Sequence, residues 1–550
     1  MSNLRARYVL GRILPVACFL IVSAIISIYR FDEVSSSQSF GWDSGSFLEN
    51  GAVYAGLTQY NQAYDPTRPP VLPVLLSLAF RITGPSVMDG YLLSGILYFV
   101  AMLACYLLAR EIMNPWLAVL PAISYGLAPM VIEWGGIVYS NVEGVAIAAL
   151  GLATFVYAVK YRSSFYLIAL PLMFLAPLTR YTLGIILFVA VIYILSYKAK
   201  GGTLKPRSPY NFSVGVGIAI VAIGAVGTIW IAYPLSHGYN LTSLFPSAGN
   251  VNPFTSPLGH FYWAFNLPNE LGSGMYMYVI AATLIITCTY IFFSPILSSG
   301  NQNLAESDYQ FSLASTPGIT RSLTSYSAPS ATIRKAETIN PLVYALLFWF
   351  VGLFLFYSIA WSYYDPRYSV EFIFPGLILA FWGIDRALTA ISRQVTGRRM
   401  AFGEVSGSNS LKMIASIIIV LLIVAGVGLL VAQSGMVVVQ NTPVVDTSLN
   451  AGMRQAASWV KTNVPISARL EGDWYTFLWW YLPNYTILEA PAAYQLTSNQ
   501  SYTNWVKSIY TSNVSYVIYS NSAAINVPPQ FQPVFRSNVS GVTVFKVSSS

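Results

Sequence analysis

Long apolar runs, each near the length that crosses a lipid bilayer, recur along most of this chain. Of its 550 residues, 55% are hydrophobic and only 9% are charged, whereas about 25% of the residues of a soluble domain are charged. A transmembrane helix needs roughly 20 apolar residues in succession. Runs of this kind stand at 11–30, 88–109, 115–133, 140–159, 164–178, 180–197, 212–233, 274–294, 341–361, 369–385 and 413–433. The sequence therefore predicts a mainly α-helical, polytopic membrane protein with about 11 transmembrane helices.

The lysines and arginines orient these spans. The first run lacks a small-residue cleavage pattern at its end, so we interpret it as a retained anchor. With the N-terminus inside, an alternating path places 18 of the 29 Lys and Arg residues on the inner side, as the positive-inside rule requires. The net charge of +8 follows mostly from this bias and does not indicate nucleic-acid binding. The sequence thus predicts a cell-membrane protein with a cytoplasmic N-terminus. Five arginines remain in or near the outer half of the membrane: Arg30, Arg68, Arg81, Arg180 and Arg367.

The two long outer loops carry distinct features. The loop at 31–87 contains a semi-apolar run, Val71 to Ile82, directly after Pro69-Pro70. Proline is favoured at the first turn of a helix, so this run predicts a helix lying at the membrane interface. The loop at 234–273 holds both histidines of the chain, His237 and His260. We interpret it as a lid or an acceptor-facing loop, and the Ser/Thr-rich inner segment 295–340 as a flexible connector.

The composition becomes polar after the last apolar run. A helical stretch at Leu449 to Thr462 is followed by strand-like runs at Tyr485 to Leu488, Ser515 to Tyr519 and Val542 to Val547. Helices between strands predict a small α/β domain, which the topology places outside the cell. We therefore divide the chain into a transmembrane domain, 1–438, and a soluble extracytoplasmic domain, 439–550.

Glycosylation sequons are concentrated on the predicted outer side. They stand at Asn240, Asn484, Asn499, Asn513 and Asn538, with a further one near the inner side at Asn211. The three cysteines, Cys18, Cys105 and Cys288, all lie inside predicted spans. Neither a disulfide framework nor a metal cluster follows from them.

Five charged residues are predicted at outer membrane depth: Asp43, Arg68, Glu143, Arg180 and Arg367. A charge at the centre of a membrane helix costs roughly 2.5 to 3.5 kcal/mol. Each residue taken alone has a structural interpretation: a solvated loop acid, a snorkelling arginine, an acid–arginine pair between two helices, or a rim anchor. Their recurrence in order on one side of the membrane favours a functional site.

Sugar transfer from a lipid phosphate is a reaction that needs these groups. Arginines hold the phosphate and neutralise the charge that develops as the sugar leaves. A carboxylate within hydrogen-bond reach takes the proton of the attacking hydroxyl. Direct displacement inverts the anomeric centre, so a second, nucleophilic carboxylate is not required.

The chain resembles the GT-C superfamily of membrane glycosyltransferases over roughly residues 10 to 390. The segments that carry the resemblance are Gly41-Trp42-Asp43-Ser44-Gly45, Arg68-Pro69-Pro70-Val71-Leu72-Pro73, Ser140-Asn141-Val142-Glu143, Leu178-Thr179-Arg180 and Pro366-Arg367-Tyr368. Their order is similar to that in the branch containing protein O-mannosyltransferases, lipid A aminoarabinose transferases and RgtA/B/C/D-like enzymes.

The resemblance implies a role for each charged residue. Asp43 would be the catalytic base, and Arg68 would contact the donor phosphate. Glu143 would orient the acceptor or the sugar, while Arg180 and Arg367 would be further phosphate or sugar contacts. Nearby candidates are Trp42, Tyr64, Tyr368 and His260.

Two departures from the family pattern disfavour particular kinds of site and reaction. Ser44 follows the first acid where the family often has Glu, so a paired-acid metal site is disfavoured. No cofactor is required, and a divalent cation is not indicated. The segment Trp479-Trp480-Tyr481-Leu482-Pro483 lacks the acid of the oligosaccharyltransferase signature, which argues against transfer of a whole glycan to asparagine.

The sequence therefore predicts an inverting glycosyltransferase that moves one sugar from a polyprenyl (dolichyl-type) phosphate to a protein, lipid or glycan acceptor on the outer face. It names neither the sugar nor the acceptor. One alternative is a transporter or lipid flippase whose translocation path is lined by the same charges. Another is a non-catalytic surface or assembly protein in which the C-terminal segment is the working part.

Overall fold

A computed structural model describes residues 13–38, 40–41, 43–57, 64–202, 209–236, 238, 339–357, 366–399, 447–491, 499–520 and 528–548. The predicted spans at 274–294 and 413–433 lie outside these residues, and so do Trp42, His237 and His260. The number of spans therefore stays a prediction.

The described residues of the N-terminal three-quarters of the chain form helices joined by loops and turns. These helices are α1 (Leu14–Ser37), α2 (Ser44–Ala55), α3 (Val71–Thr83), α4 (Val87–Arg110), α5 (Val119–Gly126), α6 (Pro129–Trp134), α7 (Asn141–Lys160), α8 (Tyr166–Thr179), α9 (Ile185–Ala199), α10 (Pro209–Ser236), α11 (Pro341–Leu355) and α12 (Ser369–Arg399). Short 3-10 turns at Ser163–Phe165, Tyr181–Gly184 and Pro366–Tyr368 join some of them. Within the described ranges, five helical segments are long and apolar enough to cross a membrane: Leu14–Ser37, Val87–Arg110, Asn141–Lys160, Tyr181–Ala199 and Pro209–Ser236.

The run at 115–133, predicted as a single span, is broken into α5 and α6. Pro129 is the first residue of α6 and has no N–H to continue the preceding helix. A residue before proline is pushed out of the helical region, and Ala128 is extended with ψ at 129°. The Tyr98 hydroxyl of α4 donates to the carbonyl of Gly126 at the end of α5. The break places α6 beside the start of α7.

The core of the bundle is densest around α7. Small residues line this helix, among them Ala146, Ala149 and Ala153, all fully or almost fully buried. A Cβ at Gly151 would press against Met173 of α8. Small side chains let membrane helices approach closely, so α7 packs against both α4 and α8.

The first loop contains two short helices, α2 and α3, which pack on one another. As predicted, α3 begins directly after Pro70 and ends at Gly84, whose φ of +83° suits glycine. It buries Leu72, Leu76 and Phe80 against α2 and leaves Ile82 87% exposed. An amphipathic helix with an exposed apolar edge is typical of a membrane interface.

Residues 447–548 form a five-stranded mixed sheet flanked by helices. Its elements are α13 (Thr447–Asn463), β1 (Arg469–Gly472), α14 (Tyr475–Tyr481), β2 (Thr486–Glu489), α15 (Asn499–Thr511), β3 (Tyr516–Tyr519), β4 (Phe531–Arg536) and β5 (Thr543–Val547). The strand order is β2-β1-β3-β5-β4. β1 is parallel to β2 and β3, and β5 is antiparallel to β3 and β4.

The sequence analysis did not predict two strands of this sheet. β1 has only four residues and carries the acid Glu471, so it lacks an apolar run. β4 contains Pro533 beside a bulge in its pairing with β5. Proline is tolerated there because β4 is an edge strand.

The C-terminal layer packs directly on α2. Phe40 and Phe47 from the first loop share one apolar cluster with Phe477 and Leu478 of α14, and the Phe40 and Phe477 rings meet edge to face at 4.9 Å. α2 is therefore held between the bundle and the C-terminal layer.

Gly45 marks the tightest point of this contact, because a Cβ there would collide with the carbonyl oxygen of Thr476. We expect Gly45→Ala to destabilise the protein by about 1–3 kcal/mol through overpacking, as measured by thermal unfolding of the full chain in detergent. Gly224→Ala in α10 is the control, since no atom lies within 4 Å of a Cβ there. Equal stability of both variants would contradict the close contact.

Glu471 makes the stability of the sheet depend on pH. It is 4% exposed, and burial raises its pKa from 4.5 to about 7, although the indole N–H of Trp505 donates to it at 2.6 Å. The unfolded chain ionises first as the pH rises, so the free energy of unfolding should fall by about 3 kcal/mol between pH 4.5 and 7. Hydrogen exchange of β1 and β3 in the full chain measures this loss, which Glu471→Gln should remove.

Candidate functional site

The carboxylate of Asp43 lies between two arginines from distant parts of the chain. Arg68 Nη2 is 2.9 Å from Asp43 Oδ1, and Arg367 Nη1 is 3.0 Å from Oδ2. Asp43 is only 7% exposed, so it is not a solvated loop acid, which was the alternative interpretation of this residue. We call Asp43, Asp65, Arg68, Tyr139 and Arg367 the Asp43 cluster.

Asp43 stands at the N-cap of α2 but does not cap it. An N-cap aspartate ordinarily accepts a hydrogen bond from the backbone N–H two or three residues ahead, and the Asp43 side chain makes no such bond. Its carboxylate faces the arginines instead. The start of α2 thus positions the acid, while the ion pairs set the direction of its side chain.

Tyr139 joins the cluster from the loop before α7. Its hydroxyl accepts a hydrogen bond from Arg367 Nη1 at 2.6 Å and from the Asp43 backbone N–H at 3.3 Å, and it also bonds the Asp43 carboxylate. The ring packs on Trp134 at 5.1 Å. The sequence analysis did not single out Tyr139, because a tyrosine in an aromatic-rich loop carries no distinguishing pattern.

Asp65 fixes the position of Arg68. Asp65 Oδ2 lies 2.7 Å from Arg68 Nε, and Oδ1 accepts from both the N–H and the hydroxyl of Thr67. Asn50 of α2 is fully buried and exchanges two hydrogen bonds with the Asp65 backbone, at 2.8 and 3.0 Å. Arg68 is therefore tied to the same helix that begins at Asp43.

Two aromatic side chains hold this loop from the other side. The indole N–H of Trp230, on α10, donates to the Pro66 carbonyl at 2.9 Å. The Tyr181 hydroxyl donates to the Thr67 carbonyl at 3.0 Å. The loop is fixed from three elements that are far apart in sequence.

Arg367 lies among aromatic rings. Its guanidinium carbon is 5.2 Å from the Tyr139 ring centroid, 5.4 Å from that of Tyr368 and 5.8 Å from that of Trp134. Such contacts contribute about 0.5–2 kcal/mol each. The Asn141 amide donates to the Arg367 carbonyl at 3.0 Å, so backbone and side chain are both held.

The electrostatics keep Asp43 ionised. Burial by itself would raise the pKa of the Asp43 carboxyl, but Arg68, Arg367 and the Tyr139 hydrogen bond outweigh it and hold that pKa below its ordinary value. Burial would likewise lower the pKa of Arg68, whereas Asp43 and Asp65 raise it. The cluster is thus a network of full charges at neutral pH.

Glu371 is a residue that the sequence analysis missed. It is fully buried in the first turn of α12, where it accepts hydrogen bonds from Arg180 Nε, from the Thr182 hydroxyl at 2.7 Å and from the Tyr357 hydroxyl at 2.9 Å. It lies inside a run that we predicted as an apolar span. An acid near the start of such a run was the available signal.

Arg180 is connected to the Asp43 cluster only indirectly. Its Nη1 donates to Asn141 Oδ1 at 3.2 Å, and Asn141 in turn binds the Arg367 backbone. The Arg180 guanidinium also lies over the Tyr368 ring, 5.1 Å from its centroid. Glu371 already neutralises Arg180, and the phosphate contact predicted for Arg180 stays a prediction.

Glu143 does not contact the Asp43 cluster. It is fully buried in the first turn of α7, with the Ser94 hydroxyl of α4 as a polar neighbour, and within the described residues it makes no ion pair. The structural alternative of a Glu143–Arg180 pair is wrong, since Arg180 pairs with Glu371. The role of Glu143 toward acceptor or sugar stays a prediction.

Tyr64 lies next to the cluster without touching the Asp43 carboxylate. Its hydroxyl is 3.3 Å from that of Tyr54, and its ring packs on Tyr233 at 5.2 Å. Among the residues that the structure describes, no three His, Cys, Asp or Glu side chains converge in a way that would hold a metal ion. The cluster's own chemistry is that of a carboxylate beside two fixed cations.

Comparison with known proteins gives a family match to part of the chain. The family model described as "Dolichyl-phosphate-mannose-protein mannosyltransferase" matches residues 67–226, which begin one residue before Arg68. Comparison with curated proteins gave no match.

Solved structures share the fold at low sequence identity. ArnT from Cupriavidus metallidurans bound to undecaprenyl phosphate matches with a TM-score of 0.55 and 13% identity over 97% of this chain and 98% of that chain. The archaeal oligosaccharyltransferase AglB from Archaeoglobus fulgidus, in complex with an inhibitory peptide and a dolichol-phosphate, matches at 0.50 and 13%, over 91% and 69%. The arabinofuranosyltransferase AftD from Mycobacteria matches at 0.51 and 13%, over 97% and 42%.

These matches confirm the resemblance to the GT-C superfamily. The chain has the fold of these membrane glycosyltransferases along nearly its whole length. The apolar helices and this fold together identify an integral membrane protein.

The Glu371–Arg180 pair should be coupled in stability. Removing either partner alone, by Glu371→Leu or Arg180→Met, leaves a buried charge and should cost about 3–5 kcal/mol, whereas the double variant should recover most of this loss. Thermal unfolding of the four proteins measures the coupling. The Lys160–Glu111 pair, at 2.8 Å with an 18% exposed lysine side chain, is the matched control and should couple more weakly. Additive losses at Glu371 and Arg180 would show that the two charges act independently.

Proposed function

We propose that this protein is a glycosyltransferase that moves one sugar from a polyprenyl phosphate donor to an acceptor hydroxyl at the membrane surface. The observation that carries the proposal is the buried carboxylate of Asp43 between the anchored guanidinium groups of Arg68 and Arg367. This reaction needs a base and a phosphate clamp close to one anomeric carbon, because the acceptor loses its proton on one face of that carbon while the bond to phosphate breaks on the opposite face.

In the proposed reaction Asp43 is the base. The acceptor oxygen attacks the anomeric carbon from the face opposite the phosphate, and its proton passes to the Asp43 carboxylate. The bond between the anomeric carbon and the phosphate oxygen breaks, and polyprenyl phosphate leaves with the electron pair. Arg68 and Arg367 stabilise the charge that grows on this leaving group. The configuration at the anomeric carbon inverts.

The comparisons support the choice of donor. ArnT and AglB, which share this fold, were solved with undecaprenyl phosphate and with a dolichol-phosphate, and the family model that begins at residue 67 is described by a dolichyl-phosphate sugar. A guanidinium pair suits the phosphate common to these lipids. The acceptor is a protein, a lipid or a glycan.

We place the reaction on the outer face of the membrane, with the C-terminal domain, 439–550, on the same side. The Asp43 cluster lies at the end of the bundle where α1 finishes and α7 begins. Arg110 and Lys160 stand at the far ends of α4 and α7, on the side that the positive-inside rule assigns to the cytoplasm. The C-terminal layer packs on α2 at the Asp43 end.

Asp43→Asn tests the assignment of the base. It keeps the shape of the side chain but cannot accept the proton, so transfer of labelled sugar from a polyprenyl phosphate donor should fall by about 10²- to 10⁴-fold. The matched control is Asp32→Asn, an exposed acid of α1, which should transfer at the wild-type rate.

Two results would contradict the proposal. Full activity of Asp43→Asn would remove Asp43 as the base. Passage of an intact donor lipid across vesicles by the wild type, without sugar transfer, would instead favour the transporter or flippase.

A further inference from the structure

We infer that the donor phosphate activates Asp43 by drawing Arg68 and Arg367 off its carboxylate. This inference rests on the proposed function, because it assumes that both arginines bind the phosphate. It adds a coupling between donor binding and the proton affinity of Asp43.

Asp43 occupies the positions that a phosphate would take. Both of its carboxylate oxygens face arginine nitrogens, at 2.9 and 3.0 Å, and a phosphate offers oxygens of the same charge and spacing to the same guanidinium edges. The acid and the donor therefore compete for Arg68 and Arg367. Before the donor arrives, Asp43 serves as its substitute.

Each arginine has an anchor that does not depend on Asp43. Arg68 keeps its ion pair with Asp65 at 2.7 Å. Arg367 keeps its place over the Tyr368 and Trp134 rings and its backbone bond from Asn141. Both guanidinium groups can therefore exchange Asp43 for phosphate by a small rotation.

Within the part of the chain that the structure describes, Asp43 has no comparable replacement for the two arginines. Its side chain does not cap α2, and the remaining side-chain partner in the cluster is the neutral Tyr139 hydroxyl. When the arginines turn to phosphate, the carboxylate loses the two cations that hold it ionised and stays buried. Burial then favours its protonated form.

The charge balance points in the same direction. Among the described residues, the charged groups of the Asp43 cluster are Arg68 and Asp65 of the 64–70 loop and Arg367 of the 3-10 turn. With Asp43 itself they sum to zero. A phosphodiester adds one negative charge, so the occupied cluster gains affinity for a proton, and Asp43 becomes a stronger base only when the donor is present.

Calorimetric titration of the full-length protein in detergent tests this coupling. The probe is a short-chain polyprenyl methyl phosphate, a phosphodiester that keeps one negative charge across the pH range used. Titrations at pH 5 to 7 in two buffers of different ionisation enthalpy give the number of protons bound along with the affinity. We expect the wild type to take up a fraction of a proton on binding at pH 5 and progressively less toward pH 7, where Asp43 stays ionised and can act as the base. Asp43→Asn should lose this uptake and bind the probe more tightly, on the order of tenfold, because the competing carboxylate is gone.

The controls separate this inference from the proposed function. Asp32→Asn should bind the probe with wild-type affinity and wild-type proton uptake. Arg68→Ala should lose most of its affinity for the probe. If the wild type binds the probe without proton uptake, the coupling is overturned while the phosphate site stands. If the wild type does not bind the probe, or if Arg68→Ala binds it equally well, the phosphate clamp itself fails and the inference falls with it.

Discussion

The ion pairs of Asp43 with Arg68 and Arg367 are the interaction around which the described part of the molecule is organised. The three residues come from the first loop and from a turn more than 290 positions later in the chain. Charges buried at a membrane surface are costly unless they are paired and hydrogen-bonded. The surrounding polar contacts meet this condition. Tyr139 bonds both Asp43 and Arg367, Asn141 bonds the Arg367 backbone, and Asp65, itself held by Asn50, pairs with Arg68.

A second, deeper pair supports the first. Glu371 neutralises Arg180, and Arg180 reaches the Arg367 backbone through Asn141. The two pairs differ in what they can do. The Glu371 pair is closed within the core, whereas the arginines of the Asp43 pairs have further anchors and can exchange a partner. The C-terminal layer completes the arrangement, because α14 packs on α2 and fixes the helix that begins at Asp43.

Apolar periodicity and charge placement carried much of the prediction. The runs at 88–109 and 140–159 are the helices α4 and α7, and the run after Pro70 is α3. The strand-like runs near 485, 515 and 542 coincide with β2, β3 and β5. Local breaks in regular structure were harder to predict from the sequence. Pro129 splits an apolar run that is long enough to span a membrane. Strand β1 contains Glu471 and edge strand β4 contains Pro533, so neither shows the apolar run of a typical strand.

The sequence by itself determined that this is a helical membrane protein, that a few charges lie where charges are costly, and that Asp43 and Arg68 both lie in the first outer loop. The hydrophobicity of a segment and the charges that flank it are local properties of the sequence, so they predict the spans and their orientation. Only the tertiary structure decided which charges meet. Arg367 pairs with Asp43, Arg180 pairs with Glu371 rather than Glu143, and Tyr139 joins the cluster. Such partners are chosen by the packing of helices distant in sequence, because a buried charge is stable only beside the opposite charge that packing brings within about 3 Å.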